Sequence, residues 1–174
     1  MLQVARLSPN VLGEAAEQVR QFVQSKINPD GGWQDRQGGS DLYYSVFGMA
    51  CLTALQMDMD AAAHIPFHQK FGTGDGLDFV HLTSLIRCRA YTRDLWQTPN
   101  EIEQITRNIE TYRSQDGGFG TTPNAQYGSA YGCFLALGAY QDLATKPGKS
   151  SKNAVRSSGS ISSKSCAACS LPNE

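Results

Sequence analysis

Apolar residues recur at helical spacing in two stretches of the chain that are otherwise polar. Val11, Ala15, Val19, Phe22 and Val23 fall on one face of a 3.6-residue period, and so do Ile102, Ile105, Ile109 and Tyr112. Each stretch opens on a helix-start signature, Ser8-Pro9-Asn10 for the first and Thr98-Pro99-Asn100-Glu101 for the second. A hydroxyl at the N-cap accepts from backbone N–H groups that have no partner inside the helix. Proline suits the first helical position because its missing N–H is not needed there. Glu101 completes a capping box with Thr98. These two stretches predict amphipathic helices with one buried face. Two further segments, Ser40 to Met57 and Gln126 to Ala144, are apolar on most faces and predict helices packed on several sides. Nothing alternates with period two for more than a few residues, and no Asp-Gly or Asn-Gly turn joins two β-rich runs, so no strand is expected.

The pattern repeats. Asp30-Gly31-Gly32-Trp33 returns 86 residues on (30 to 116) as Asp116-Gly117-Gly118-Phe119, each time between a polar helix and an apolar one. The Gly-Gly pair is expected to end the polar helix and turn the chain. The same offset puts Met49 on Leu135, Ala50 on Ala136 and Cys51 on Leu137. Between the two clear copies lies a degenerate one, in which Asp75-Gly76-Leu77 takes the place of the turn. The helix after it, residues 77–91, aligns with the first apolar helix at an offset of 37 (41 to 78): Asp41 on Asp78, Tyr44 on His81 and Cys51 on Cys88. Its polar helix is expected to be short, near His64 to Phe71, because Pro66 is best tolerated in a first turn. The unit is a helix–turn–helix hairpin of roughly 43 residues, present three times. The body is therefore expected to be all-α.

Composition separates this body from the last thirty residues of the chain. The formal net charge of the 174 residues is −1, with 40% hydrophobic and 18% charged residues. From Thr145 onward, Lys146, Lys149, Lys152, Arg156 and Lys164 stand against Glu174 alone, a net +4, which leaves −5 for residues 1–144. The last segment contains nine serines and no aromatic residue; it holds too little apolar surface to fold and is expected to be a disordered tail. The organisation read from the sequence is a repeat domain over 1–144 and a Ser-rich basic tail over 145–174. A near-neutral total argues against a nucleic-acid partner held by bulk positive charge. No apolar run reaches the roughly 18–20 residues that span a bilayer, so no transmembrane segment is expected. The opening Met1-Leu2-Gln3-Val4-Ala5-Arg6 is too short and polar for a signal peptide, which makes the expected location cytoplasmic. Cys51, Cys88 and Cys133 lie in apolar stretches and read as small buried hydrophobes. Cys166 and Cys169 form a Cys-x-x-Cys pair without a second pair or a strand–helix setting, and Leu171 to Glu174 after it exclude a prenylation box.

The succession of polar helix, Asp-Gly-Gly-aromatic turn and apolar helix resembles the repeat of the α/α toroid proteins, the β subunits of protein prenyltransferases and the squalene/oxidosqualene cyclases. The resemblance covers residues 8–144, and Ser114-Gln115-Asp116-Gly117-Gly118-Phe119 is similar to the tail of their glutamine–tryptophan motif. Glycines let the chain reverse tightly, and the aromatic ring fills the space beside the turn. The resemblance implies concentric rings of helices, with residues 40–57, 77–93 and 126–143 in the inner ring and an isoprenoid ligand in the apolar centre. Tyr43, Tyr44, Phe47, Phe79, His81, Tyr127 and Tyr131 are then the candidates to line the cavity; the alternative for each is to fill a hairpin core. Toroids of this family close with about twice as many hairpins, so three make an incomplete ring, whose open apolar edge implies self-association.

The same resemblance nominates catalytic positions. Asp41-Leu42-Tyr43-Tyr44-Ser45 is similar to the prenyltransferase segment that supplies two zinc ligands, an Asp and a Cys two residues later. Tyr43 stands where that Cys belongs, and a phenol with pKa of about 10 is a poor substitute for a thiolate. No bound metal and no cofactor are therefore expected, and Asp41 reads equally as a helix N-cap. His81 is the candidate for a ligand or general base, against a packed histidine. Tyr127-Gly128-Ser129-Ala130-Tyr131-Gly132-Cys133 is similar to the family's glycine-rich helix entry but lacks the His that helps hold a diphosphate. Arg87, Arg89 and Arg93, the one cationic cluster, read as the solvated edge of a helix. Asp58 and Asp60 match the first two carboxylates of the cyclase Asp-x-Asp-Asp acid, where crowding raises a proton-donating pKa; Asp60 also reads as a cap. The resemblance implies a prenyltransferase- or terpene-cyclase-like protein handling an isoprenoid. The residues leave open a non-catalytic repeat protein that binds an apolar ligand or a partner, and an inactive truncated toroid.

Overall fold

A computed structural model of the chain describes residues 12–92 and 98–144. The Ser8-Pro9 helix start, Val11, Arg93, the Cys166–Cys169 pair and the basic segment 145–174 lie outside the described residues. Those described are mostly helical. In chain order they form α1 (Ala15–Gln24), the short strands β1 (Trp33–Gln34) and β2 (Ser40–Asp41), α2 (Leu42–Ala54), α3 (Ala61–Gln69), α4 (Phe79–Thr92), α5 (Pro99–Glu110) and α6 (Ala130–Leu143). Among the described residues, no helix is long and apolar enough to cross a membrane.

The first polar helix differs from its expected form. Gly13 takes a left-handed φ of +52°, so α1 starts only at Ala15. Ala16 rather than Ala15 is its buried residue, and Phe22 stays 63% exposed, with the Lys26 ammonium 5.4 Å from its ring centre. The second polar helix, α5, agrees closely with expectation. Thr98 Oγ1 accepts the Glu101 N–H at 3.2 Å, and the Thr98 N–H donates to Glu101 Oε2 at 3.0 Å, which is the capping box. Ile105 and Ile109 are fully buried, while Ile102 is exposed. Neither helix is ended by its glycines. The C-caps are Ser25 and Thr111, both with ordinary helical φ, and Gly31 and Gly117 make separate turns farther on. The expectation of no strand is also corrected. Trp33 pairs with Asp41 and Gln34 with Ser40 in an antiparallel ribbon, too short for a period-two pattern to register. Its loop is closed by Asp35, whose Oδ1 accepts the N–H groups of Gln37 and Gly39 at 2.8 and 2.9 Å.

In the degenerate copy, α3 begins three residues earlier than expected because Asp60 caps it, accepting the Ala62 N–H at 3.1 Å. Pro66 thus lies inside the helix rather than in its first turn. The offset of 37 holds well between the next two helices. Asp41 accepts the Tyr44 N–H at 3.0 Å, and Asp78 accepts the His81 N–H at 2.9 Å. Buried positions match too: Leu42, Ser45 and Met49 correspond to Phe79, Leu82 and Ile86, all at 1% exposure or less. The offset of 86 does not survive into α6. Its cap is Ser129, which accepts the Gly132 N–H at 2.9 Å and lies 88 residues after Asp41 (41 to 129). The connection through Thr121-Thr122-Pro123-Asn124, with Asn124 at φ +58°, is longer than the ribbon that joins the first turn to α2.

The described residues divide into two compact units, one of residues 12–75 with 84–92 and one of residues 76–83 with 98–144. Helix α4 thus contributes its start to the second unit and the rest to the first. In the first, Trp33, Leu42, Met49, Leu52, Leu55, Phe67, Leu85 and Ile86 are buried, and the Cys88 thiol, fully buried, donates to the Leu42 carbonyl at 3.7 Å. In the second, the buried residues include Phe79, Leu82, Ile105, Ile109, Phe119, Ala136 and Ala139. Helix α4 is buried on nearly every side, with Leu82 to Ile86 buried in unbroken succession, whereas α2 and α6, the helices expected to be packed on several sides, each keep exposed rings. The burial of α4 also corrects the reading of Arg89 as part of a solvated edge, since it is only 7% exposed, while Arg87 is half-buried.

Candidate functional site

The two Asp-Gly-Gly turns are built alike. The Gly31 N–H donates to the Asn28 carbonyl at 2.9 Å and the Gly117 N–H to the Ser114 carbonyl at 3.0 Å; the N–H groups of Asn28 and Ser114 reach the carbonyls of Gly32 and Gly118. Gly31 has φ +90° and Gly117 φ +86°, a conformation that costs an L side chain about 1–2 kcal/mol. In each, Oδ1 of the preceding Asp accepts the N–H of the second glycine at 3.1 Å. The carboxylate then reaches the entry of the following helix. Asp30 accepts from Ser40 Oγ at 2.6 Å and from Lys70 Nζ at 2.9 Å, while Asp116 accepts from Ser114 Oγ at 2.6 Å and from the Gly128 N–H at 3.0 Å. Partial burial works to raise the Asp30 pKa, but the Ser40, Lys70 and Gly32 donors outweigh it and hold it below the ordinary carboxylate value. For Asp116 the Ser114 hydroxyl, then the Gly118 N–H, lowers it.

The aromatic that ends each motif fills space beside its turn. The Trp33 indole N–H donates to the Val23 carbonyl at 2.9 Å, and its backbone N–H donates to Ser45 Oγ at 2.9 Å. Its ring lies so close to Gly48 that a Cβ there would come within 2.3 Å of the indole. His64 stacks on Trp33 with ring centres 4.6 Å apart and donates from Nδ1 to the Gly31 carbonyl at 2.7 Å. Phe119 lies 6.3 Å from Phe79 and 6.2 Å from Tyr140, beneath the Arg113 guanidinium at 4.5 Å. Arg113 also pairs with Glu110, and that contact, ahead of the opposing effect of burial, keeps the Glu110 pKa low.

Other aromatics face outward. Tyr43 and Phe47, one helical turn apart on α2, meet edge to face at 4.9 Å and are 38% and 56% exposed. Tyr44 beside them is half-buried. Near and along α6, Tyr127 (68%), Tyr131 (47%), Phe134 (62%) and Leu137 (52%) form a second exposed group. Sequence reasoning names Tyr127 and Tyr131 but misses Phe134 and Leu137. The signal was the three-residue step from Tyr131, which keeps all three on one side of the helix. Phe79, from the same set of cavity candidates, takes the core alternative: it is fully buried and stacked on Tyr112 with ring centres 4.7 Å apart. The structure thus places Tyr43 with Phe47, and Tyr131 with Phe134, on outward helix sides.

Three of the acid–base candidates, Asp41, Asp60 and His81, have structural partners. Asp41 and Asp60 cap α2 and α3 as their alternative readings have it. Asp58 is exposed on the connection between those helices. His81 is half-buried and donates from Nδ1 to Asp78 Oδ2 at 2.7 Å. Asp78, which also caps α4, has a lowered pKa: burial opposes the shift, and the two His81 hydrogen bonds produce it. Tyr112 donates to the Leu77 carbonyl at 3.0 Å, and burial together with the Asp78 charge raises its pKa. Burial likewise pushes the Cys88 and Cys51 thiols up, which keeps them unreactive. Among the described residues, no three His, Cys, Asp or Glu side chains converge on one point. No protein-family model, no curated protein and no solved structure matches the chain.

Proposed function

We propose that the chain is a repeat protein of the prenyltransferase and terpene-cyclase type, built on α/α toroid hairpins, whose outward aromatic faces hold an isoprenoid chain. One observation carries this reading. Helices α2 and α6 are apolar along most of their length, yet they keep Tyr43, Phe47, Tyr131 and Phe134 at the surface instead of burying them. Rigid rings give a branched hydrocarbon apolar contact at small cost in side-chain entropy, and each Å² of apolar surface covered contributes about 25 cal/mol. Exposed rings grouped on one helix side are a feature of binding surfaces rather than of ordinary monomer exteriors.

Within this reading, binding without catalysis is favoured by the state of the carboxylates. Asp41 and Asp60 are engaged as helix caps, and Tyr43 stands where a thiolate ligand belongs. The test is calorimetric titration of the full chain with farnesyl diphosphate, geranylgeranyl diphosphate and farnesol. Saturable binding to at least one is expected, with affinity falling roughly tenfold in Phe47→Ser or Phe134→Ser, each replacing an exposed ring that contributes about 1–2 kcal/mol of contact. Size-exclusion chromatography of the same samples reads whether copies associate through these faces, and whether ligand separates them. No saturable heat with any of the three, or unchanged affinity in both variants, would overturn the isoprenoid reading.

A further inference from the structure

We infer that copies of the chain assemble head to tail, with α1 of one copy seated on the Gly117 turn of another. The internal repeat shows what covers such a turn. At the first turn the cover is α3, the polar helix that follows it. The Gly31 carbonyl accepts from His64, the Phe67 ring lies against Gly32, and the Lys70 ammonium pairs with Asp30 at 2.9 Å. The degenerate turn is met in the same way by Tyr112, just after α5, which donates to the Leu77 carbonyl at 3.0 Å. Each of these turns is reached by the polar helix that comes next in the chain. The Gly117 turn has no such helix after it among the described residues. Its own chain supplies part of the cover: Arg113 donates to the Gly117 carbonyl at 3.1 Å and lies on Phe119. Asp116 and Gly117 nevertheless stay exposed, where Asp30 is half-buried and Gly31 buried. Among the described residues, no cation pairs with Asp116 as Lys70 does with Asp30.

Helix α1 is the converse case. It is the first polar helix, with no turn before it among the described residues, and it carries the pair of side chains that α3 uses. Phe22 stands eight residues before Asp30 (22 to 30), as Phe67 stands eight before Asp75 (67 to 75). Each ring has a lysine ammonium near its centre, Lys26 at 5.4 Å and Lys70 at 5.9 Å. What differs is burial: Phe67, against its turn, is 2% exposed and Phe22 is 63% exposed. Ala15 and Gln18, on the same side of α1, are exposed with it. The occupant that fits an anionic, open turn of this kind is a helix bearing a ring and a lysine, and a second copy supplies one. Phe22 then covers the Gly117 side of the turn and Lys26 pairs with Asp116, as Phe67 and Lys70 do at the first. The helix and the turn are different surfaces of each copy, so the contact is heterologous and adds copies in succession. It depends neither on an isoprenoid ligand nor on the outward rings of α2 and α6.

The experiment is sedimentation velocity of the full chain at rising concentration, without ligand. The mass is expected to climb past that of the monomer, and high salt should weaken the association by screening the Lys26–Asp116 pair. Two variants, each checked for native circular dichroism, disable one surface apiece. Phe22→Ser/Lys26→Glu changes exposed positions of α1; Gly117→Asn puts a side chain in the path of the incoming helix, and asparagine tolerates the left-handed φ. Each alone should stay monomeric. Their equimolar mixture should form dimers and nothing larger, because it holds one intact turn and one intact helix for each pair. Phe47→Ser/Phe134→Ser should associate as the unaltered chain does. An unaltered chain that stays monomeric throughout, or either single-surface variant associating normally, would overturn the proposal. So would a mixture that remains monomeric, or association lost in Phe47→Ser/Phe134→Ser, which would assign the contact to the outward rings.

Discussion

The turns at Gly31 and Gly117 share their φ, their carbonyl–amide closure and the Asp Oδ1 that anchors the next glycine, yet their surroundings differ. A Cβ on Gly31 would stand 2.1 Å from the Ala63 carbonyl oxygen, whereas a Cβ on Gly117 would meet nothing within 4 Å. At the first turn α3 presses on the glycines: His64 bonds to the Gly31 carbonyl, and Gly32 abuts the Phe67 ring. At the second, the turn instead closes on its own connection, where Gly118 and Gly128 approach each other. One short motif thus meets two demands. The left-handed φ is local and common to both; the pressure of a separate helix on the turn is tertiary and belongs to the first alone.

Substitutions can break this comparison at several levels. The largest effect is expected at the aromatic plug. Trp33→Ala should cost about 3–5 kcal/mol in urea denaturation, because it empties a core site and strands the Val23 carbonyl and the Gly48 face. Next comes the glycine pair. Gly31→Ala combines backbone strain with a clash against α3 and should cost about 3 kcal/mol, while Gly117→Ala carries strain alone and should cost about 1 kcal/mol. Equal losses would show that α3 does not press on the first turn.

Acid should act on both turns. Asp30 and Asp116 have lowered pKa values in the folded chain, so each contributes stability that is present above the unfolded value of about 3.9 and is lost as pH falls through the folded one. Urea midpoints measured from pH 6 to pH 2 should fall below about pH 4, and the fall should be shallower in Asp30→Asn. An unchanged profile in that variant would remove the carboxylate from the account of the turn. The smallest effect concerns Gln56, which has φ +56° directly after α2, where Met57 N–H reaches the Leu52 carbonyl at 3.0 Å and Gln56 N–H reaches Thr53 at 3.1 Å. This Schellman closure favours glycine, so Gln56→Gly should stabilise the chain by about 0.5–1 kcal/mol, read as a raised thermal midpoint.

The parts legible in the sequence were those governed by nearby residues. The Thr98–Glu101 capping box, the Asp60 cap, and the 37-residue alignment of α2 with α4 all depend on side chains reaching backbone within a turn of helix. Helix faces were harder to read. Phe22 fits the helical period of the first polar helix, yet 63% of it is exposed, because periodicity locates a face without supplying something to cover it. Apolar composition likewise did not predict burial: α4, which carries His81, Arg87 and Arg89, is buried almost all round, while the more apolar α2 and α6 keep rings at the surface. Phe79 joins Tyr112 and Phe119 in a core, and Phe47 pairs with Tyr43 at the surface. The alignment failed at α6, since one longer loop rotates every later position about the helix axis. Of the candidate site, the aromatic residues were identifiable, but their separation into buried and outward sets required the fold.

That separation gives the most direct test of the binding proposal. Selectively labelled phenylalanine resonances can be tracked by NMR while the full chain is titrated with farnesol or an isoprenoid diphosphate. Binding to the outward faces should shift the signals of Phe47 and Phe134, 56% and 62% exposed, and leave those of Phe79 and Phe119 in place. Saturating ligand that moves none of the four, or that moves Phe79 and Phe119 while Phe47 and Phe134 stay fixed, would contradict it.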